Sequence, residues 1–245
     1  MEQVNAATKA VMEAAMPKTN VIIEVNNVVK SYRTAAGEVQ ALKTISWRIG
    51  KGEALALMGP SGCGKTTLLN LIGSMDRATQ GNIVVDGQDL TKMTERQAEL
   101  YRLKKVGFIF QFFNLVPSLS ALENLQLPMV IAGVAKSERS DRAQTLLEMV
   151  GLKKEGHKRP EQLSGGEQQR VSVCLALVND PDIILADEPT GNLDLANMEI
   201  ITNLLISLAK ERGKTVIVAS HDQQMVKAFP KVYRMRDGRF ESVSE

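Results

Sequence analysis

The sequence predicts an α/β fold with a parallel core sheet, an antiparallel β subdomain and an inserted α-helical subdomain. Three short apolar runs, at residues 54–58, 183–186 and 215–219, lack the polar alternation of a half-exposed strand. Such runs are typical of parallel strands that helices cover on both faces. The segment from about 112 to 165 is instead helical and rich in loops, and it lies between the first two runs. A chain of 245 residues, of which 44% are hydrophobic, is long enough to bury such a core.

The N-terminal part is expected to contribute the antiparallel strands. Residues 1–20 form an Ala- and Met-rich stretch that we interpret as a flexible extension, with a docking helix as the alternative. Two glutamates and the shortness of the apolar run argue against a signal peptide. Residues 21–29 and 41–49 are rich in β-branched side chains and predict two strands, with a loop at 34–37. We therefore expect the folded domain to span 21–245.

The remaining elements follow from apolar spacing and turn signals. Apolar side chains at core spacing predict a helix over 65–73, and Asp86-Gly87 predicts a tight turn after a strand. Pro117, Pro128 and Pro160 punctuate the helical segment. The other predicted elements are strands at 81–85, 106–110, 232–235 and 239–243, and helices at 94–105 and 197–212.

Charge and composition restrict the class of partner. Lys and Arg outnumber Asp and Glu by only 30 to 28, and 4% of the residues are aromatic, so the chain lacks the charge and the stacking surface typical of nucleic-acid binding. Two cysteines, Cys63 and Cys174, are too few for a disulfide framework and fit a reducing compartment. No segment approaches the roughly twenty apolar residues of a membrane helix. We expect no nucleic-acid partner and no direct membrane insertion.

A glycine-rich loop follows the first apolar run. The sequence GPSGCGKTT at 59–67 has the spacing of a Walker A loop, whose backbone N–H groups turn inward around nucleotide phosphates at a helix N-terminus. Lys65 would neutralise the β- and γ-phosphates, and the Thr66 hydroxyl would coordinate Mg²⁺. A glycine-rich turn between core elements is the alternative, and Cys63 is expected to face away from the nucleotide. The residues predicted to bind ATP are Gly59, Pro60, Ser61, Gly62, Cys63, Gly64, Lys65, Thr66 and Thr67.

Two adjacent acids end the second apolar run. Asp187 and Glu188 stand at a predicted strand C-terminus, which is the edge where open α/β sheets bind ligands. Asp187 is suited to hold Mg²⁺, and Glu188 is suited to act as base for the attacking water. An acidic pair that opens a surface turn is the alternative. With the Walker A loop upstream, the pair predicts an enzyme that hydrolyses ATP with Mg²⁺ as cofactor.

A third motif resembles a known family. The sequence LSGGEQQR at 163–170 precedes an apolar helical pattern and resembles the signature motif of ABC-type ATPases, the nucleotide-binding subunits of ATP-binding-cassette transporters. The resemblance covers about residues 21 to 242 and implies the P-loop NTPase fold of an ABC ATPase domain. It also implies a head-to-tail homodimer, in which each ATP lies between the Walker A loop of one subunit and the signature motif of the other. The signature residues that would complete that site are Ser164, Gly165, Gly166 and Glu167.

Further positions match the motifs of this family in the same order. The resemblance implies that Gln111 senses Mg²⁺ and the attacking water, and that His221 hydrogen-bonds the γ-phosphate. It implies that Tyr32 stacks on adenine and that Asp194, in GNLD, crosses to the opposing subunit. The implied catalytic residues are Glu188, His221, Gln111 and Lys65, and the implied Mg²⁺ ligands are Thr66, Gln111 and Asp187.

Two segments narrow the resemblance to one branch. QFFNLVPSLSALENLQLPM and ADEPTGNLD are similar to the lipoprotein-release and macrolide-export (LolD- and MacB-like) branch. This branch implies a transmembrane partner subunit and a peripheral location at the cytoplasmic face of the inner or plasma membrane. An FtsE-like regulatory ATPase that controls a membrane partner without transport is the alternative. DNA-repair and translation ATPases usually carry a coiled coil, a zinc module or a second cassette, which this sequence lacks. Leu175 departs from the family, which commonly has arginine there.

The loop after Gln111 is unusually apolar and is expected to face the membrane partner. An exposed patch of this kind usually marks an interaction surface. Packing of all its apolar side chains within the helical subdomain is the alternative. These side chains are Phe112, Phe113, Leu115, Val116 and Leu119.

Overall fold

The computed structural model describes residues 20–35 and 37–244, so the extension predicted over 1–20 lies almost wholly outside the described residues. The strands are β1 (Val21–Thr34), β2 (Gly37–Gly50), β3 (Ala54–Met58), β4 (Gln80–Val85), β5 (Gln88–Asp89), β6 (Val106–Ile109), β7 (Ile183–Asp187), β8 (Thr215–Ser220), β9 (Lys231–Arg236) and β10 (Arg239–Ser244). The helices are α1 (Lys65–Ile72), α2 (Glu95–Lys105), α3 (Ala121–Ile131), α4 (Lys136–Met149), α5 (Gly165–Leu177), α6 (Leu195–Arg212) and α7 (Gln223–Lys227).

The core sheet is parallel in its centre, and this confirms the predicted fold class. Its strand order is β10-β9-β3-β8-β7-β6, and every neighbouring pair is parallel except β9 and β10. Successive side chains of β7 and β8 point to opposite faces of the sheet and pack in two different apolar clusters. Ile184 and Val216 lie on one face, and Leu185 and Ile217 lie on the other. All four side chains are fully buried. The absence of polar alternation in these strands therefore reflects burial on both faces.

The antiparallel sheet has the strand order β2-β1-β4-β5. Its first hairpin is longer than predicted, because pairing continues to Thr34 opposite Gly37, where the sequence predicted a loop. The tight turn predicted after β4 is present, and Asp86 and Gly87 both have positive φ, at 50° and 77°. Two consecutive residues of this kind match the twist of an antiparallel hairpin, which explains the Asp-Gly pair.

Helices α3 and α4 occupy the segment between β6 and α5. Ser120 caps α3, because its hydroxyl accepts a hydrogen bond from the backbone N–H of Glu123 at 3.3 Å. Pro128 lies inside α3 and does not end it. An interior proline removes one N–H donor and crowds the carbonyl four residues before it, and α3 ends a few residues later with the N–H of Ala132 bonded to the carbonyl of Pro128. Within residues 20–35 and 37–244, no helix is both long and apolar enough to span a membrane.

Candidate active site

The Walker A loop, the acid pair and His221 lie where strands end at one edge of the core sheet. Met58 of β3 pairs with Ser220 of β8, and Asp187 of β7 pairs with Ala219 of β8. The segments after these parallel strands therefore leave the sheet side by side. Residues far apart in the sequence meet at this edge, as expected for the carboxyl ends of strands in an open α/β sheet.

Lys65 is the first residue of α1, and its side chain is only 5% exposed. Its ammonium donates hydrogen bonds to the backbone carbonyls of Gly59, at 2.7 Å, and Pro60, at 3.2 Å. It also lies 3.7 Å from a carboxylate oxygen of Glu188. The loop thus curls around the lysine, which places a buried cation at the N-terminal end of a helix, where an anion is also stabilised by the backbone N–H groups.

Two glycines allow the loop to follow this path. Gly64 has a φ of 108°, which L side chains rarely adopt. A Cβ atom on Gly59 would lie 2.3 Å from the carbonyl oxygen of Met235 and 2.7 Å from the sulfur of Cys63. Cys63 therefore points towards Gly59 and the protein interior, and it is 3% exposed. This orientation supports the interpretation of Cys63 as a small residue that faces inward.

Thr66 and Asp187 form the arrangement expected of a magnesium site. The Thr66 hydroxyl donates a hydrogen bond of 2.7 Å to Oδ2 of Asp187. Oδ1 of Asp187 is buried and has no hydrogen-bond partner among the described residues. Burial raises the pKa of this carboxyl above its usual range, and the charge of Glu188 adds to the effect, against the hydrogen bond from Thr66. A hard cation prefers hydroxyl and carboxylate oxygens, so a buried, unpartnered carboxylate oxygen beside a threonine hydroxyl fits Mg²⁺.

Glu188 is fixed by three hydrogen bonds at the end of β7. The Ser220 hydroxyl donates to Oε2 at 3.0 Å, and the backbone N–H of His221 donates to the same oxygen at 3.3 Å. The Nδ1 atom of His221 lies 2.9 Å from Oε1. The backbone of Glu188 has a φ of 48°, an unusual value for a side chain with a Cβ. Backbone strain of this kind is concentrated at functional sites.

Tyr32 lies in β1, away from the acid pair, and its hydroxyl donates a hydrogen bond of 2.8 Å to Asp76. The Lys30 ammonium lies 4.7 Å from the centre of its ring and also bonds Asp76, at 2.6 Å. Burial raises the pKa of the tyrosine hydroxyl, as does the hydrogen bond to Asp76. The ring is 38% exposed, so one aromatic surface remains accessible. Asp76 was not predicted, because nothing near it in the sequence points to Tyr32.

The signature residues lie at the start of α5, near Phe113 and Asn197. Ser164 caps the helix, and Glu167 accepts a hydrogen bond of 2.7 Å from the Ser164 N–H. This hydrogen bond lowers the pKa of the Glu167 carboxyl. A Cβ atom on Gly165 would approach Phe113, and one on Gly166 would meet Asn197. Among the described residues, no hydrogen bond joins this motif to residues 59–67.

Gln111 and Asp194 lie near the segment after Glu188. The side-chain nitrogen of Gln111 would be 3.2 Å from a Cβ atom on Gly191, and in the described part of the chain it makes no hydrogen bond to Thr66 or Asp187. The structure therefore brings Lys65, Thr66, Asp187, Glu188 and His221 together but leaves Gln111 at the margin of this group. Asp194 is the N-cap of α6. Sequence reasoning missed Ser220, although its position directly before His221 was a usable signal.

Comparison with known proteins identifies the family. A sequence model of the ABC transporter family matches residues 42–191. An uncharacterized ABC transporter ATP-binding protein of Thermotoga maritima is 46% identical over 222 residues, which are 91% of this chain and 94% of that protein. The lipoprotein-releasing system ATP-binding protein LolD of Hyphomonas neptunium is 40% identical over 218 residues, which are 89% of this chain and 96% of LolD.

Two further similarities concern a longer protein and a solved structure. The macrolide export ATP-binding/permease protein MacB of Syntrophobacter fumaroxidans is 42% identical over 91% of this chain, which spans 32% of MacB. The solved dimeric cassette MJ0796, in a post-hydrolysis state bound to ADP and Pi, superimposes with a TM-score of 0.85 at 39% identity, over 91% of this chain and 98% of the cassette. The chain thus belongs to the ABC transporter family, as one of its ATP-hydrolysing, ATP-binding subunits.

Proposed function

We propose that the chain hydrolyses Mg-ATP as a head-to-tail homodimer and that closure of this dimer drives a membrane subunit of a LolD- or MacB-like system. The observation that carries the proposal is the group of charged residues at the edge of the core sheet. There Lys65 lies 3.7 Å from Glu188, and Glu188 lies 2.9 Å from Nδ1 of His221. A cation, a base and a hydrogen-bonding ring are the parts that phosphoryl transfer to water needs.

Each side chain of this group has a separate task in the proposal. Lys65 leaves its own loop carbonyls to bind the β- and γ-phosphates, and Thr66 and Asp187 hold Mg²⁺. When bound, Mg²⁺ neutralises charge that develops on the phosphate oxygens. Glu188 takes the proton of the attacking water, and His221, whose side chain is 60% exposed, bonds the γ-phosphate. Gln111, which lies beside Gly191, would be the third residue that binds Mg²⁺ in this scheme.

The second half of each ATP site would come from another copy of the chain. The serine and glycines of the signature start a helix, so their N–H groups suit a phosphate. Gly165 lies near Phe113 and Gly166 lies against Asn197, and the motif makes no hydrogen bond to the Walker A loop among the described residues, which supports a site completed by a partner. The dimeric state of MJ0796 supports the same arrangement. In the proposal Ser164, Gly166 and Asp194 act on the nucleotide of the opposing copy.

An exposed apolar surface supports a membrane partner. The loop after Gln111 is split: Phe113, Leu115 and Leu119 are partly buried, whereas Phe112 is 73% and Val116 is 37% exposed. Only Phe112 and Val116 of the loop are therefore exposed enough to contact a partner. Helix α3 contributes further exposed apolar side chains. The exposed apolar residues of α3 are Leu127, Val130 and Ile131, at 41%, 51% and 69%. An exposed apolar patch of this kind usually marks an interface with a partner.

The domain assignment follows from these roles. We infer that residues 21–245 act as the nucleotide-binding domain and that the segment of about 112–165 is the helical subdomain that faces the partner. The chain would then work at the cytoplasmic face of the membrane and be held there through that partner. The similarity to LolD, over nearly the whole length of both proteins, supports this branch.

The substitution Glu188→Gln tests the proposal. Removal of the base is expected to lower the rate of ATP hydrolysis by about 10²–10⁴-fold, while ATP binding is retained. ATP-bound dimers should then accumulate, which sedimentation velocity with and without Mg-ATP would detect. Glu211→Gln, at an exposed position on α6, is the matched control and should behave as the wild type. Wild-type turnover in the Glu188→Gln variant would refute the assignment of the base.

A further inference from the structure

The Asn197 side chain lies between the signature helix and the segment that precedes α6. Its Oδ1 atom accepts a hydrogen bond of 3.1 Å from Nη1 of Arg170, on α5. Its Nδ2 atom donates to both carboxylate oxygens of Asp194, at 3.0 Å each. The backbone N–H of Asn197 also donates to Asp194, at 2.8 Å. One amide therefore joins a cation on one element to an anion on the other.

The orientation of the amide is complementary to these two charges. Its carbonyl oxygen faces the guanidinium and its NH₂ group faces the carboxylate, so each end makes a charge-assisted hydrogen bond. The hydrogen bonds from Asn197 also lower the pKa of Asp194, which keeps the carboxylate charged. An aspartate in place of Asn197 would have the same shape, but it would face Asp194 with a second acceptor instead of a donor.

Gly166 contacts the same amide. A Cβ atom at this position would lie 2.1 Å from Oδ1, 2.3 Å from Cγ and 2.8 Å from Nδ2 of Asn197. No other atom is as near to that position, and Gly166 is buried. The second glycine of the signature is therefore required by Asn197 of its own chain, apart from any contact with a nucleotide.

We propose that Asn197 is a positioning residue, which holds the signature motif and the Asp194 segment of one chain as a single rigid surface, so that both dock together on the opposing copy. This inference rests on the head-to-tail dimer of the proposed function. Asn197 touches no reacting atom in this scheme. Its effect is on dimer closure, because two trans-acting elements that move independently lose more freedom on docking than one rigid surface does.

If Asn197 served only to cap α6, truncation of its side chain would leave dimer formation unchanged. The backbone N–H of Asn197 bonds Asp194 whatever the side chain is, so the cap survives truncation of residue 197. The side-chain hydrogen bonds to Arg170 and to the carboxylate of Asp194 are lost, together with the contact to Gly166. A change in dimer formation at unchanged ATP affinity therefore separates positioning from capping.

The first experiment measures ATP-driven dimerisation in the Glu188→Gln background by sedimentation. Asn197→Ala is expected to raise the dimer dissociation constant about tenfold, because an additional segment must then be ordered on docking. The isosteric Asn197→Asp should weaken the dimer at least as much. ATP affinity, measured with a fluorescent ATP analogue at protein concentrations below dimerisation, should stay unchanged in both. Asn203→Ala, exposed on the same helix, is the control. Dimers of wild-type strength in Asn197→Asp would overturn the inference.

The second experiment needs neither nucleotide nor dimer. In thermal unfolding of the nucleotide-free chain, Gly166→Ala should lower Tm, and the double variant with Asn197→Ala should recover most of the loss, because the clashing amide is gone. Additive losses of Tm would show that the two residues do not meet, and would also overturn the inference. If Glu188→Gln alone forms no ATP-bound dimer, the proposed function fails, while this coupling between Gly166 and Asn197 can still be observed.

Discussion

At the scale of single residues, Asp187 shows that the site is arranged for a ligand rather than for stability. One carboxylate oxygen is bonded to Thr66, and the other is buried without a hydrogen-bond partner in the part of the chain that the structure describes. An ionised group in such a place is unfavourable in the chain alone, because burial removes water without supplying a second donor. The neighbouring Glu188 carries three hydrogen bonds and has no such orphaned atom. The two acids of the pair thus differ in environment, which fits one metal ligand and one base.

Replacement of Asp187 by asparagine should make the nucleotide-free chain more stable. Burial raises the pKa of Asp187 in the folded state, so its protonated form is favoured there. Its contribution to stability is complete below the unfolded pKa of about 3.9 and is lost as pH rises through the higher folded value. At pH 7 the Asp187→Asn variant should therefore have a Tm higher by the order of a few degrees, and this advantage should shrink towards pH 4.

The same variant should lose the metal-dependent reaction. An amide is a poorer ligand for Mg²⁺ than a carboxylate, so hydrolysis is expected to fall by about 10²-fold or more. Thermal unfolding at several pH values measures the expected gain in Tm, and a phosphate-release assay measures the expected loss of hydrolysis. Asp141→Asn, at an exposed position on α4, is the control for both. A nucleotide-free Asp187→Asn chain that is less stable than the wild type at pH 7 would contradict the assigned effect of burial.

At the scale of elements, the sequence was sufficient where an element is defined by its own residues. The strand predicted over 54–58 has those bounds in the structure, because an apolar run there lies between turn signals. The short α7 was missed, because five residues are too few to show a helical period. The bond from Tyr32 to Asp76 spans 44 positions, and the meeting of Gly166 with Asn197 also needs tertiary packing. Motifs thus predicted candidate residues for the site, but not the tertiary contacts that these residues make.

The contact between α5 and β6 gives a prediction at this scale. A Cβ atom on Gly107 would lie 2.2 Å from the backbone carbonyl oxygen of Ala176, which cannot turn aside as a side chain can. Gly107→Ala is therefore expected to push α5 from the sheet and lower the free energy of unfolding by about 1–3 kcal/mol. Because α5 carries the signature at its start, hydrolysis should fall as well.

Denaturant unfolding and ATPase assays measure these two effects of Gly107→Ala. In the control Gly156→Ala, the nearest atom is the flexible end of Leu147 at 3.1 Å, and the nearest backbone atom is 3.5 Å away. The control should therefore lose less stability. Equal losses in the two variants would mean that α5 does not rest closely on β6 at Gly107.

At the scale of the whole molecule, the chain presents two incomplete surfaces. One is the edge of the core sheet, where Lys65, Thr66 and Asp187 face each other and the signature is absent. The other is the start of α5, where the signature lies against Asn197 and, among the residues that the structure describes, makes no hydrogen bond to the Walker A loop. A two-fold axis that pairs these surfaces makes two equal composite sites within a closed dimer.

This arrangement makes the ATPase rate depend on protein concentration. In the proposed scheme, a monomer would hold the nucleotide on Lys65 and Thr66 but would lack the trans donors that stabilise charge on the transferring phosphoryl group, and loss of one such donor costs on the order of a hundredfold in rate. At saturating Mg-ATP, the rate per chain should therefore rise in proportion to concentration when dimers are scarce, and level off once most chains are paired. A dilution series in a phosphate-release assay, with albumin added to prevent adsorption, measures this curve. The midpoint of the curve should agree with the dimer dissociation constant from sedimentation. A rate per chain that stays constant across that range would mean that one chain carries the complete site, and the head-to-tail arrangement would be wrong.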